Sequence, residues 1–165
     1  MKNPNIAILG AGTIGMSWAA LFAATGRNVT VFDPSSETKD RVTTLVESSA
    51  ETLTALGWGA AGDTSKLRFT NDPVEAIEDA DFIQESVPER LDIKHALCAQ
   101  IEPHLKENAI IGSSTSGLKL SEMQVGFANP GRFILAHPFN PPHLIPLVEL
   151  MDNDITDAGV LADAT

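Results

Sequence analysis

Asn5-Ile6-Ala7-Ile8-Leu9-Gly10-Ala11-Gly12-Thr13-Ile14-Gly15 is the stretch whose reading decides the fold. Its first half is an apolar run bounded by Pro4 and Gly10, the pattern of a strand buried inside a parallel sheet. Its second half is a glycine-spaced turn that opens a helix. Gly10 permits the turn, Gly12 lets the backbone approach a pyrophosphate, and Gly15 lets the helix pack close to the strand. The first-turn amides then face the phosphates with the positive end of the helix dipole. Gly10, Ala11, Gly12, Thr13, Ile14 and Gly15 are therefore the expected cofactor cradle.

A glycine pattern alone also fits an ordinary tight turn. Here the context extends it. Asn28 to Phe32 reads as a second strand, and it ends at Asp33, roughly 20 residues on, where a ribose-binding acid belongs. Asp33 can accept hydrogen bonds from both ribose hydroxyls and would repel a 2′-phosphate. NAD is favoured over NADP on that ground.

Working outward, Met16 to Thr25 reads as a buried helix stopped by Gly26, and Ser35 to Leu56 as a longer helix with one apolar stripe. A loop at 57–62 leads to a short strand, Leu67 to Thr70, and a brief helix from Pro73 to Glu78. Asp81 to Glu85 is the next strand, followed by a helix opened by Ser86-Val87-Pro88-Glu89 and running to about Leu105. Ala109 to Gly112 is a strand that ends in the run Ser113 to Gly117; Leu118 to Phe127 is a short helix. Strands at Arg132 to Ala136 and Leu147 to Met151 flank a proline-rich turn, and Thr156-Asp157 looks like one more helix start. Strands alternating with helices predict an α/β, Rossmann-type, doubly wound and mostly parallel sheet, with ligands at the carboxyl ends of the strands.

The chain has 165 residues, enough for one domain with a real core. A formal net charge of −11 speaks against nucleic acid and an anionic membrane as partners. The one cysteine, Cys98, leaves no intrachain disulfide and fits a reducing compartment; in its helical pattern it reads as a small buried apolar residue. Met1-Lys2-Asn3-Pro4 leads into an apolar run too short for a signal core. The longest apolar stretch is far below the ~20 residues that span a bilayer. A cytoplasmic protein is expected. No metal-ligand spacing is present, so no metal is expected.

Oxidising an alcohol carbon needs a base for the hydroxyl proton, and histidine suits that task near neutrality. A carboxylate on the far ring nitrogen fixes the tautomer and favours the imidazolium. His137 and Glu149 are the candidates for such a pair. His95, His104 and His143 lack such partners in the sequence, and the first two read as exposed helix residues.

Gly10-Ala11-Gly12-Thr13-Ile14-Gly15, Glu85-Ser86-Val87-Pro88-Glu89, Ser113-Ser114-Thr115-Ser116, His137-Pro138-Phe139-Asn140-Pro141 and Leu147-Val148-Glu149 occur in this order. As a set they resemble the NAD-binding domain of the L-3-hydroxyacyl-CoA dehydrogenase family. Pro142 and the run Gln84 to Arg90 bring the chain closer to the L-carnitine and L-gulonate dehydrogenase branch, which includes lambda-crystallin. The resemblance implies NAD-dependent oxidation of an L-3-hydroxyl, with His137 as general base and Glu149 orienting it. It implies that Ser116 bonds the substrate oxygen and meets the nicotinamide region. It places Asn140 at the nicotinamide end or the substrate, Glu89 by the nicotinamide ribose, and Ser86 close to the cofactor. Lys94 matches a position that contacts CoA, though it also reads as a solvated charge. Ser86 and Glu89 have capping-box spacing, so helix initiation could explain both.

Two departures shape the expectation. The segment from Gly57 to Lys66 is short and nearly uncharged, which favours a small 3-hydroxy acid over an acyl-CoA. The family's helical C-terminal domain, which closes the site and forms its homodimer, is expected to be missing from this chain. Residues 1–152 are read as the NAD-binding Rossmann domain and 153–165 as the start of the truncated helical domain. On its own the chain is expected to bind NAD and turn over poorly. The alternative is a non-catalytic NAD(H)-binding module, crystallin-like or sensing.

Overall fold

The computed structural model describes residues 3–165; Met1 and Lys2, which open the stretch read for a leader, lie outside it. The apolar run Ile6–Leu9 is strand β1, fully buried as an interior strand of a seven-stranded sheet. It pairs in parallel with β2 (Val29–Phe32) on one side and β4 (Phe82–Glu85) on the other. β3 (Leu67–Thr70) extends the sheet beyond β2; β5 (Ile110–Ser113) and β6 (Phe133–Pro138) extend it beyond β4, all in parallel. β7 (Val148–Met151) closes that edge antiparallel to β6, because the short connection between them cannot make a crossover. The order is β3-β2-β1-β4-β5-β6-β7. Strand order reverses between β1 and β4, the switch point at whose carboxyl rim such sheets hold ligands.

Alternation along β1 explains why helices cover both faces. Ile6 and Ile8 face one core with Trp18, Val31 and Val42; Ala7 and Leu9 face the other with Ile77, Ile83 and Ile111. The first core is covered by α1 (Thr13–Ala24) and α2 (Thr38–Ser48), and Val160 of α7 (Val160–Ala164) joins it fully buried. The second is covered by α4 (Pro73–Ile77), α5 (Leu91–Ile101) and α6 (Leu120–Met123). This is the doubly wound sheet that the pattern predicts. Cys98 lies in the second core, and burial, ahead of the neighbouring Glu85 carboxylate, pushes its thiol up to about 12. Among the described residues no helix is long and apolar enough to cross a membrane.

Five segments differ from the sequence expectation. The helix expected over 35–56 breaks at Ser49 into α2 and α3 (Ala50–Ala55). The Ser49 hydroxyl donates back to the Leu45 carbonyl at 2.6 Å, a bond that bends helices. The helix expected from Ser86 starts at Leu91 and gives way after Ile101 to a 3₁₀ turn carrying Pro103. The helix expected over 118–127 is a single turn. The last helix begins at Val160 rather than Thr156, behind Gly159 at φ 90°. β6 runs further than expected, to Pro138, so His137 lies inside the strand.

Candidate active site

At Gly10 the backbone stands at φ 93°, and a side-chain carbon there would lie 2.8 Å from the Ser86 carbonyl oxygen. At Gly15 it would lie 1.8 Å from the Gly10 carbonyl oxygen, so α1 can sit this close to β1 only without one. At Gly12 it would meet no protein atom within 4 Å. That opening lies at the start of α1, where Gly12 is the N-cap and no side chain caps the helix. The first-turn amides are thus left to an outside acceptor, and the cradle fits a dinucleotide pyrophosphate. Asp33, at the end of β2, accepts from the Ala11 amide at 2.8 Å and the Ser35 amide at 2.9 Å. It fastens the cradle to β2, and each oxygen keeps a lone pair for a ribose hydroxyl.

The two glycines separate fold from ligand. Gly12→Ala is expected to melt near the parent temperature yet lose at least about tenfold in NADH affinity. Gly15→Ala is expected to lose about 1–3 kcal/mol of folding stability, since backbone must move. Thermal melts with NADH fluorescence titrations check both; equal effects on stability would contradict the assignment.

The ends of β4 and β5 form a polar corner. Ser114 Oγ accepts from Trp18 Nε1 at 3.2 Å and from Gln84 Nε2 at 2.8 Å, and lies 2.8 Å from Ser86 Oγ. Both nitrogens can only donate, so the Ser114 proton points to Ser86, and the Ser86 proton is left for another acceptor. Ser114 is a hub that the sequence reading did not single out.

Lys94 is not a solvated charge. It is 1% exposed, and its Nζ donates to both oxygens of fully buried Glu85 at 2.7 and 2.8 Å. Glu85 also accepts from the Val87 amide and the Ser113 hydroxyl. The signal was in the helix: Lys94 lies in line with Leu91, Leu97, Cys98 and Ile101, on the apolar stripe.

The capping-box reading of Ser86 and Glu89 fails too, since Arg90 is the N-cap of α5 and no side chain caps it. Glu89 instead accepts from the Thr115 hydroxyl and, at 3.2 Å each, from the Ser116 and Gly117 amides. Lys94 stands 3.5 Å away. Burial alone would push the Glu89 carboxyl up; Thr115, the Gly117 amide, Lys94 and the Ser116 amide together outweigh it and hold it below the usual value. Its stabilisation is therefore present above the unfolded pKa of 4.5 and is lost as pH falls through the lower folded value. Glu89→Gln is expected to flatten the loss of thermal stability below that pH; an unchanged acid slope would contradict this. Ser116 has its backbone held in this way and its side chain exposed.

His137 and Glu149 face each other across the antiparallel β6–β7 pair. His137 Nδ1 lies 3.0 Å from Glu149 Oε2. With the carboxylate accepting, the proton sits on Nδ1 and Nε2 offers its lone pair. β1, β2, β4, β5 and β6 are parallel, so the cradle, Asp33, Ser86, Ser116 and His137 share one rim of the sheet. Asn140 is exposed in the following loop, joined to Pro141 by a cis peptide. His143, read as partnerless, is buried with its Nδ1 2.5 Å from Ser17 Oγ, and burial holds its pKa below the usual value. His95 is half-buried with Nε2 2.8 Å from the Glu122 carbonyl, and His104 is exposed. Among the described residues no three His, Cys, Asp or Glu side chains are grouped to hold a metal.

Residues 5–165 match the family described as 3-hydroxyacyl-CoA dehydrogenase, NAD binding domain. The chain is 42% identical over 160 residues to an L-carnitine dehydrogenase of Streptomyces coelicolor, covering 97% of this chain and 50% of that protein. It is 45% identical over 149 residues to an L-carnitine dehydrogenase of Nocardiopsis dassonvillei, covering 90% and 45%. Among solved structures, 3-hydroxybutyryl-CoA dehydrogenase of Escherichia coli superposes with a TM-score of 0.88 at 26% identity, covering 99% of this chain and 35% of that one. The chain spans about half the length of the curated relatives it matches.

Proposed function

This chain belongs to the 3-hydroxyacyl-CoA dehydrogenase family as an NAD-binding domain, and from that premise we propose that it serves the NAD-dependent oxidation of a small L-3-hydroxy acid, with His137 as general base and Glu149 as its partner. The observation that carries the reading is the 3.0 Å contact between those side chains on the rim that also bears the glycine cradle.

The cradle from Gly10 to Gly15 holds the pyrophosphate, and Asp33 takes the adenosine ribose. Ser86 and Glu89 lie toward the nicotinamide half, with Ser116 and Asn140 at the reacting end. Bound NAD supplies the acceptor for the hydrogen leaving the substrate carbon as hydride. His137 Nε2 takes the hydroxyl proton as the carbonyl forms, and Glu149 stabilises the imidazolium and keeps Nδ1 protonated. In the reverse direction the same nitrogen returns the proton. Residues 1–152 are the cofactor-binding unit and 153–165 lead toward the part that completes the substrate pocket and the dimer.

The two relatives at 42% and 45% identity are L-carnitine dehydrogenases, and the segment 57–66 has Asp63 and Lys66 as its only charges. Both favour a small hydroxy acid over a CoA thioester. The test is a fusion of this chain to the part of the S. coelicolor relative outside the match, assayed for NADH formation. L-carnitine or a similar small 3-hydroxy acid is expected to be oxidised well ahead of 3-hydroxybutyryl-CoA. The opposite order would overturn the substrate class, and NAD binding without oxidation of any 3-hydroxy acid would overturn the function.

A further inference from the structure

The loop 139–147 joins the strands that carry His137 and Glu149, and it presents Asn140. Its internal bonds are short-range: Phe139 N–H to the Leu147 carbonyl at 3.0 Å, and the amides of Leu144 and Ile145 to the Pro141 carbonyl. Among the described residues, the polar contacts from this loop to another element are both made by His143 with Ser17 of α1. Ser17 lies two residues beyond Gly15, on the helix whose first turn forms the cradle.

Both contacts converge on the Ser17 hydroxyl oxygen. The His143 backbone amide can only donate, and it donates to Ser17 Oγ at 3.2 Å. His143 Nδ1 lies 2.5 Å from the same oxygen, where either the Ser17 hydroxyl donates to Nδ1 or an Nδ1–H donates to the second lone pair of Oγ. Ser17 is 1% and His143 9% exposed, so water does not compete for the contact.

We propose that Ser17 and His143 are positioning residues: their clasp registers the Asn140 loop against the helix that holds the cofactor phosphates. This deepens, and rests on, the dehydrogenase reading above. Asn140 is three residues from His143 in a loop whose other hydrogen bonds, among the described residues, run within the loop itself. Freeing His143 leaves the glycine cradle untouched and lets the reacting end shift, and shifts of about 1 Å there cost rate steeply.

The test compares Ser17→Ala, His143→Leu and His143→Asn with the parent. An asparagine Oδ1 stands where Nδ1 stood and can accept the Ser17 proton. In the fusion described above, Ser17→Ala and His143→Leu are expected to lower kcat roughly ten- to a hundred-fold with NAD affinity within about twofold, and His143→Asn to restore most of the rate. In this chain alone, NADH is expected to shift the Asn140 amide resonance in the parent and in His143→Asn but not in Ser17→Ala. Parent-like kcat in both disrupting variants, or a His143→Asn as slow as His143→Leu, would overturn the clasp. A parent fusion that oxidises nothing overturns the dehydrogenase reading instead, and the resonance shifts still decide the clasp.

Discussion

Replacing His137 with glutamine is expected to lower kcat for 3-hydroxy-acid oxidation by about 10²–10⁴-fold while NAD affinity stays at the parent value. The cradle proposed for the phosphates lies at the start of α1 and, among the described residues, shares no hydrogen bond with β6, so the two properties separate. Glutamine keeps a donor toward Glu149 and loses the basic nitrogen, so the variant isolates proton transfer from packing. Glu149→Gln is expected to act in the same direction by a smaller factor, because Nε2 stays in place while its tautomer and charge lose support. Steady-state kinetics beside NADH titrations measure both. A His137→Gln enzyme within tenfold of the parent would remove His137 from the chemistry.

Lys94→Met carries the largest expected cost to folding, about 3–5 kcal/mol. Glu85 is 0% exposed and receives the Lys94 ammonium on both oxygens, so the variant leaves a buried carboxylate without its counter-charge. That is a large part of the ~5–15 kcal/mol by which domains are stable. The double variant Glu85→Gln with Lys94→Met removes both charges and is expected to recover most of the loss. Urea midpoints measure it; a single variant as stable as the parent would mean the pair contributes nothing. Through Lys94 and Glu89 the same network reaches the Ser116 amide, so the single variant should also loosen the end of β5.

What was legible in the sequence is what local pattern encodes. The strand, turn and helix around Gly10 to Gly15 follow from apolar runs and glycine spacing, and the observed contacts at Gly10 and Gly15 supply the steric reason. Asp33 was found as the acid at the end of the second strand, and the facing of His137 and Glu149 followed from two strands joined by a proline-rich turn. Partners far apart in the chain were not legible. Ser86 and Glu89 have the spacing of a helix cap, yet the donors of Thr115, Ser116 and Gly117 claim the carboxylate. His143 looks idle in the sequence because Ser17 is 126 positions away, whereas the burial of Lys94 is legible in its place on the apolar stripe of α5. A helical period gives no notice of a hydroxyl that bends the helix, which is why 35–56 was read as one helix.

The most direct test of the central claim is a crystal structure of this chain with NADH. The pyrophosphate should lie on the amides at Gly12 to Ile14 and the adenosine ribose at Asp33, with the nicotinamide ring resting between Ser86, Ser116 and the Nε2 edge of His137. A cofactor bound with its nicotinamide over β2 and β3, and its adenine beside His137, would contradict the account.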